Sequence, residues 1–220
     1  MQLPATVFDG VIDVSHWNGT VDWPAVAAAG IALVLIKASE GAGNADPLFE
    51  KNRVAAIKAG LMVVPYHFVD PGIVGAVQAA HFLKVSGVGQ GTPTMIDWET
   101  KAPVGTVVAI GQALAAATGR DPVSYYGWAQ LKAADPVLAR WPLMLPEYPD
   151  GNRVGDYATL VKAAPRLPPG RAAARPYDLH QYTEAGIVAG ITGHVDRSVW
   201  VGTATELRAW HSTGVLPQAA

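Results

Sequence analysis

Residues Thr94 to Thr100 read Thr-Met-Ile-Asp-Trp-Glu-Thr, an apolar run that ends in two acids one residue apart. In a β-strand successive side chains point to opposite faces, so Met95, Asp97 and Glu99 share one face while Ile96 and Trp98 share the other. Two carboxylates projecting together from a strand end push their pKa values apart. A protonated acid beside an ionised one is what hydrolysis of a glycosidic bond requires. The pair alone carries little, because a chain with 18 acidic residues offers an Asp-x-Glu by chance. A scaffold that brings further acids to the same place would give it meaning.

The elements around the pair repeat a strand-helix rhythm. Val11 to Ser15 is a β-branched strand carrying Asp13, with His16 and Trp17 in the loop after it. Asp22 caps a helix with Pro24 in its first turn and Gly30 at its end. Ile31 to Lys37 is the second strand, and Asp46-Pro47 opens a helix that Gly60 closes. Leu61 to Phe68 is the third strand, followed by a helix over about Val74 to Val85 and then the Thr94 to Thr100 strand. Val107 to Thr118 is helical up to Gly119, and Val123 to Tyr126 is the fifth strand. Continuous apolar strands separated by Gly-terminated helices predict a parallel sheet covered on its outer side, and about eight of them close into a β/α barrel.

The rhythm loosens afterwards. Gln130 to Arg140 reads as a short helix broken at Pro136, Leu143 to Tyr148 as a sixth strand, and Tyr157 to Ala164 as a short helix. Pro165 to Pro176 reads as an exposed excursion. Tyr177 to Tyr182 and His194 to Val201 are the seventh and eighth strands, joined by a glycine-rich link too short for a helical crossover and therefore antiparallel at least in part. Thr205 to Ser212 is the last helix. The predicted fold is an irregular α/β barrel of about eight strands, in a single domain over residues 1–220 with its core at about residues 9–212 and no second module.

Composition narrows the chemistry. The chain is 50% hydrophobic and 15% charged with a net charge of −2, so nothing draws nucleic acid to it. It has no cysteine, hence no disulfide or thiolate zinc site. The six histidines, His16, His67, His81, His180, His194 and His211, lack the spacing of a metal site, and no cofactor is expected. The first ten residues have neither the basic nor the apolar region of a secretory signal, and no apolar run approaches the ~20 residues that span a bilayer. A monomer without membrane insertion is expected.

In a β/α barrel, function is built at the carboxyl ends of the strands. Asp13 closes the first strand, Asp97 and Glu99 the fourth, and Asp196 lies early in the eighth, which neighbours the first in a closed barrel. Four carboxylates then share one pocket. Trp17, Tyr66, Phe68, Trp98, Tyr125, Tyr126, Tyr148 and Tyr182 are expected at the same rim. Acids with aromatic platforms suit a carbohydrate, whose C–H faces stack on rings while its hydroxyls bind carboxylates. Against this, a strand-end Asp is commonly a turn residue, a Trp such as Trp98 is commonly core, and Lys37 with Glu40 also fits a plain ion pair.

Several stretches together resemble glycoside hydrolase family 25, the Chalaropsis-type lysozymes or N-acetylmuramidases, which include phage lysozymes. They are Gly10-Val-Ile-Asp-Val-Ser-His-Trp-Asn-Gly19 with Asp22-Trp23, Ile36-Lys-Ala-Ser-Glu-Gly41, Asp46-Pro-Leu-Phe49, Ala59-Gly60-Leu61, Tyr66-His67-Phe68, Asp97-x-Glu99, Gln181-Tyr182-Thr183, Gly190-Ile191 and Val195-Asp196, in the family's order and spacing. The resemblance implies an irregular, flattened α/β barrel of eight strands and five main helices, a single catalytic domain without a separate cell-wall-binding module, that cleaves the β-1,4 bond between N-acetylmuramic acid and N-acetylglucosamine in peptidoglycan glycan strands. It makes Glu99 the general acid, Asp97 the partner that raises its pKa or orients the reacting N-acetyl group, and Asp13 and Asp196 the flanking pair. The substrate-binding set expected around them is Tyr66, Lys37, Glu40, Trp17, Phe68, Tyr126, Tyr148 and Gln181.

The chain departs from the family pattern at Leu143-Met-Leu-Pro-Glu-Tyr148, where Leu-Trp-Leu-Ala-x-Tyr is usual, at His180, where a Trp is usual, and in a longer loop from Asp150 to Pro176. These changes are expected to reshape the groove and leave the four acids in place. Two rivals are a non-hydrolytic glycan-binding or structural barrel and a chitin-type N-acetylglucosaminide hydrolase. The expected setting is a phage lysin made in a bacterial cytoplasm and acting on the wall, or else a secreted enzyme.

Overall fold

A computed structural model of the chain describes residues 6–127, 130, 136–148, 154–163 and 177–216. The strand-helix alternation runs β1 (Val7–Val14), α1 (Trp23–Ala28), β2 (Leu33–Glu40), β3 (Asn44–Ala45), α2 (Phe49–Lys58), β4 (Met62–Phe68), α3 (Gly75–Ser86), β5 (Met95–Asp97), α4 (Val104–Thr118), β6 (Val123–Tyr125), β7 (Leu143–Pro146), α5 (Tyr157–Ala163), β8 (Leu179–Gly186), β9 (Val195–Val201) and α6 (Ala204–Thr213). Local chemistry sets several ends. Asp22 accepts a hydrogen bond from the Ala25 amide at the start of α1, Thr203 and Glu206 form a capping box on α6, and Gly87 and Gly119 close α3 and α4 in the left-handed region.

The sheet order is β1-β9-β8-β7-β6-β5-β4-β2-β3, and β1 also pairs with β2. Eight strands therefore close into a barrel, while the two-residue β3, not foreseen from the sequence, hangs as an antiparallel hairpin on the end of β2. Neighbours from β1 through β2 to β8 are parallel, whereas β9 is antiparallel to both β8 and β1. The reversal has a direct use. It puts the start of β9 beside the end of β1, so that Asp196 pairs in register with Asp13. The expected helix over Gln130 to Arg140 falls mostly outside the described residues, of which Leu138–Arg140 form a 3-10 turn. The Pro165 to Pro176 excursion lies outside them entirely.

Alternation along the strands divides the core in two. Outward residues such as Ile12, Val34, Ile36, Ile96 and Trp98 pack against helices that contribute Phe82, Ile110 and Leu114. In this layer Trp141 lies so close to α4 that a Cβ on Gly111 would stand 2.0 Å from its ring, which explains a glycine inside that helix. Inward residues form the barrel interior: Val11, Leu33, Leu35, Val64, Met95, Val123, Met144, Leu179 and Trp200. Helix α6 plugs the amino-terminal end of the barrel with Leu207 and Trp210, the latter packed on Trp200 with ring centroids 5.3 Å apart. Arg120 ties this plug down by donating to the carbonyls of Trp210 and His211, both at 2.7 Å. The opposite end, at the carboxyl ends of the parallel strands, stays open.

Candidate active site

Two residues further along each inward row, the side chains change from apolar to mostly polar or aromatic. Above Val11 stands Asp13, above Leu35 stands Lys37, above Val64 stand Tyr66 and Phe68, above Met95 stands Asp97, and above Leu179 stands Gln181. These groups line a cleft of about 300 Å³ at the mouth of the barrel, with Ser15, Trp17, Glu99, Tyr125, Tyr148, Glu184 and Asp196 completing its wall. Among its described lining residues there are five carboxylates and a single ammonium, that of Lys37. The parity that makes a barrel interior also loads its mouth.

The four acids expected at the rim all reach this cleft, and they form two pairs. Asp97 ends β5, where its carboxyl is hydrogen-bonded to that of Glu99, which lies just beyond the strand. Asp13 ends the inward row of β1 and is hydrogen-bonded to Asp196. Burial is the leading cause that raises all four pKa values, with repulsion between partners added for the two deepest groups, Asp13 and Asp97. Within each pair the deeper acid is the costlier to ionise. Asp97 therefore keeps the shared proton in the free protein, and its hydrogen bond draws Glu99 back down against the effect of burial. Asp13 does the same for Asp196. Asp97 Oδ1 is buried and has no hydrogen-bond partner among the described residues.

The surroundings hold these groups in place. Lys37 donates to Glu40 at 2.7 Å and lies 4.7 Å from the centroid of the Phe68 ring, a position from which its charge favours the ionised forms of Asp97 and Glu99. A register shift in β2 between Lys37 and Ser39 separates the inward lysine from the outward Ser39, which meets His67 at 2.9 Å on the far side of the sheet. His67 in turn meets Gln78 of α3 and stays neutral, its pKa pushed down to about 4 by burial. The Tyr66 phenol is buried beside Asp13, and both effects raise its pKa, so it remains a donor. Trp17 is 84% exposed at the edge of the cleft, on a 3-10 turn that Ser15 and Asn18 cap and that His16 fastens to Asp46.

Several expected residues stand elsewhere. Tyr126 is buried with its ring against Trp98 in the outer layer, so neither aromatic lines the cleft. Tyr182 also faces outward, where its phenol donates to Asp9. Glu40 borders a neighbouring hollow with His16, Asn44 and Asp46, in contact with the main cleft through Lys37. His180, expected to reshape the groove, is buried outside the barrel between Tyr157 and Tyr177 and meets the Glu147 carbonyl at 2.9 Å. Ser15, Met95, Met144 and Glu184 line the cleft without having been singled out. Strand parity with Asp13, Asp97 and Tyr148 was the available signal for the first three. Glu184 escapes it, because register shifts between Gln181 and Thr183 and between Thr183 and Gly186 break the alternation in β8.

An eight-stranded barrel whose mouth holds two hydrogen-bonded acid pairs between aromatic walls has the architecture of a carboxylate-based glycoside hydrolase. Residues 12–191 match the model of glycosyl hydrolases family 25, and the chain belongs to that family. It is 31% identical over 222 residues to the uncharacterized protein YegX of Escherichia coli (strain K12), covering 96% of this chain and 76% of that protein. It is 26% identical over 226 residues to Lysozyme M1 of Streptomyces globisporus, covering 90% of this chain and 69% of that one. Among solved structures, the bacterial lysozyme from Streptomyces coelicolor is similar with a TM-score of 0.76 and 27% identity over 94% of this chain and 98% of its own.

Proposed function

We propose that the protein is a muramidase that hydrolyses the β-1,4 bond between N-acetylmuramic acid and N-acetylglucosamine in peptidoglycan, and hence acts at the cell wall. The observation that carries this reading is the pairing of Asp97 with Glu99 and of Asp13 with Asp196 in the mouth of a family 25 barrel. Glu99 is the more exposed member of its pair and the one a sugar chain would cover. Covering it removes water, raises the cost of its charge and lets the proton held by Asp97 pass to it. Glu99 then protonates the leaving oxygen, a step that contributes ~10²–10⁴-fold.

Asp97 is left ionised, and its carboxylate at the base of the cleft becomes an acceptor for the substrate's acetamido group. An orienting role for Asp97, in which the acetamido oxygen is turned toward the anomeric carbon, fits this placement. Trp17 supplies an exposed platform for a sugar face, and Lys37 tempers the negative charge of the cleft. A purely glycan-binding barrel gains nothing from two acid pairs whose ionisation is penalised by desolvation.

The test is mass spectrometry of borohydride-reduced products from whole peptidoglycan. Reduced muramic acid ends are expected, and Glu99→Gln is expected to abolish their release. Reduced N-acetylglucosamine ends, or binding with no new reducing ends at all, would remove the assignment. Equal cleavage of chitin oligomers would support the chitin-type rival.

A further inference from the structure

Asp13 and Asp196 are cross-strand partners at the seam between the first and last strands of the barrel. Asp13 is fixed from the cleft side. Its Oδ2 accepts from Gln181 Nε2 at 2.9 Å, and the Gln181 Oε1 in turn accepts from the phenols of Tyr125, at 2.8 Å, and Tyr148. Asp196 comes from a stretch of β9 whose ladder with β8 is broken on both sides. Gln181 pairs with Ser198 and Thr183 with Arg197, which leaves Tyr182 as an extra residue; Gly186 then pairs with Val195, which leaves Glu184 and Ala185 together opposite Asp196. Each bulge disrupts the ladder locally, so another contact has to fix where Asp196 stands.

That contact lies on the outer face, directly behind the acid. Arg197, the next residue, turns away from the cleft, and its Nη2 donates to Asp9 Oδ1 at 2.9 Å. Asp9 reaches this face through a bulge of its own. Phe8 pairs with Trp200 and Val11 with Ser198, so Asp9 and Gly10 together face Val199, whereas strict alternation back from Asp13 and Val11 would turn Asp9 into the barrel. The Asp9 carboxylate also accepts from the Tyr182 phenol at 2.9 Å and from the Tyr157 amide at 3.1 Å. The stem of Arg197 lies on Gly186, where a Cβ would stand 2.6 Å from its Cγ and Cδ. With side chains only 16% and 24% exposed, the ion pair escapes much of the screening that weakens surface pairs.

We propose that Asp9 and Arg197 form a clamp that sets the register of the start of β9 and thereby holds Asp196 beside Asp13 in the cleft. Both are positioning residues, and neither lines the cleft. The proposal rests on the glycoside hydrolase reading above.

Two variants of the whole protein break the clamp while moving its charge in opposite directions: Arg197→Met, which keeps the stem on Gly186, and Asp9→Asn. In carboxyl 13C NMR titrations the separation between the Asp13 and Asp196 midpoints reports how closely the acids are held, because neighbouring carboxyls titrate as a pair. Lys37, Tyr66, Asp97, Glu99, Tyr148 and Glu184 face the pair across the cleft and are the same in both variants. Both variants are expected to narrow the separation. Charge acting through space would instead raise both midpoints in Arg197→Met and lower both in Asp9→Asn, and that pattern would overturn the clamp. On soluble glycan chains kcat is expected to fall by roughly tenfold to a hundredfold in both, the scale of a displaced catalytic group, with KM little changed. Lower thermal stability with separation and kcat unmoved would reduce the pair to a support of the outer face and overturn its positioning role. Should neither variant fold, 15N NMR of the wild-type guanidinium decides: hindered rotation of the Arg197 Nη groups is expected, and free rotation would overturn the clamp. Failure of the hydrolase reading shows separately, as a wild-type protein that releases no reducing ends while the NMR differences stand.

Discussion

The two ends of the barrel interior are made from the same strands and do opposite work. At the amino-terminal end, Trp200, Leu207 and Trp210 fill the space with apolar surface, and Arg120 closes the helix above them. At the carboxyl end, two residues further along the same inward rows, Asp97 is buried and Asp13 half-buried, and both carry groups that burial penalises. One end lends stability that the other spends on reactivity. The lesson is that the mouth is affordable only because the floor is closed.

The sharpest way to separate the two ends is a substitution that silences one and leaves the other intact. Glu99→Gln is expected to lower kcat by ~10²–10⁴-fold, as loss of the general acid requires, with no loss of thermal stability. A drop in both would mean that the acid is part of the support. Trp210→Ala attacks the floor and is expected to cost ~3–5 kcal/mol of folding stability, read by denaturant titration, while the surviving folded fraction keeps the wild-type pH profile. A moved profile would show that the floor sets the geometry of the mouth.

Asp97→Asn is expected to stabilise the protein at pH 7 at the expense of activity. The folded-state pKa of Asp97 lies above the unfolded carboxylate value of about 4, so the penalty of its charge is absent below that pH and grows as pH rises through the folded-state value. The gain in Tm over wild type should therefore be present at pH 7 and vanish near pH 3, at about 2–4 °C for each kcal/mol relieved. A gain of equal size at both pH values would place its origin in packing. The smallest effect is expected for Glu40→Gln, within ~1 kcal/mol in stability because its pair with Lys37 is partly solvated. A larger loss would make that pair a structural part of the mouth.

How far the sequence discloses this molecule follows from strand parity. Asp13, Asp97, Tyr66 and Phe68 were legible because a period of two puts every second residue on one face, and the carboxyl ends of barrel strands fix where that face opens. The closure of β1 on β2 and the antiparallel β9 followed from strand count and from a link too short for a helix. The same rule, applied strictly, would have turned Tyr126 and Tyr182 outward, since each adjoins an inward residue, Tyr125 and Gln181. Parity fails where registers shift, and that is where Glu184 was missed. The β3 hairpin, the outward position of His180 and the sharing of Gln181 between two phenols and an acid depend on contacts between distant segments, which no local pattern encodes.

The antiparallel placement of β9 also bears on timing. Asp13 lies in the first strand of the barrel and Asp196 in the last, and they meet only when that last strand slides in beside the first. Until β9 and α6 are in place, Asp13 lacks its acid partner and the barrel lacks its floor. In a barrel built this way the last strand completes the acid cluster and the closure in one step.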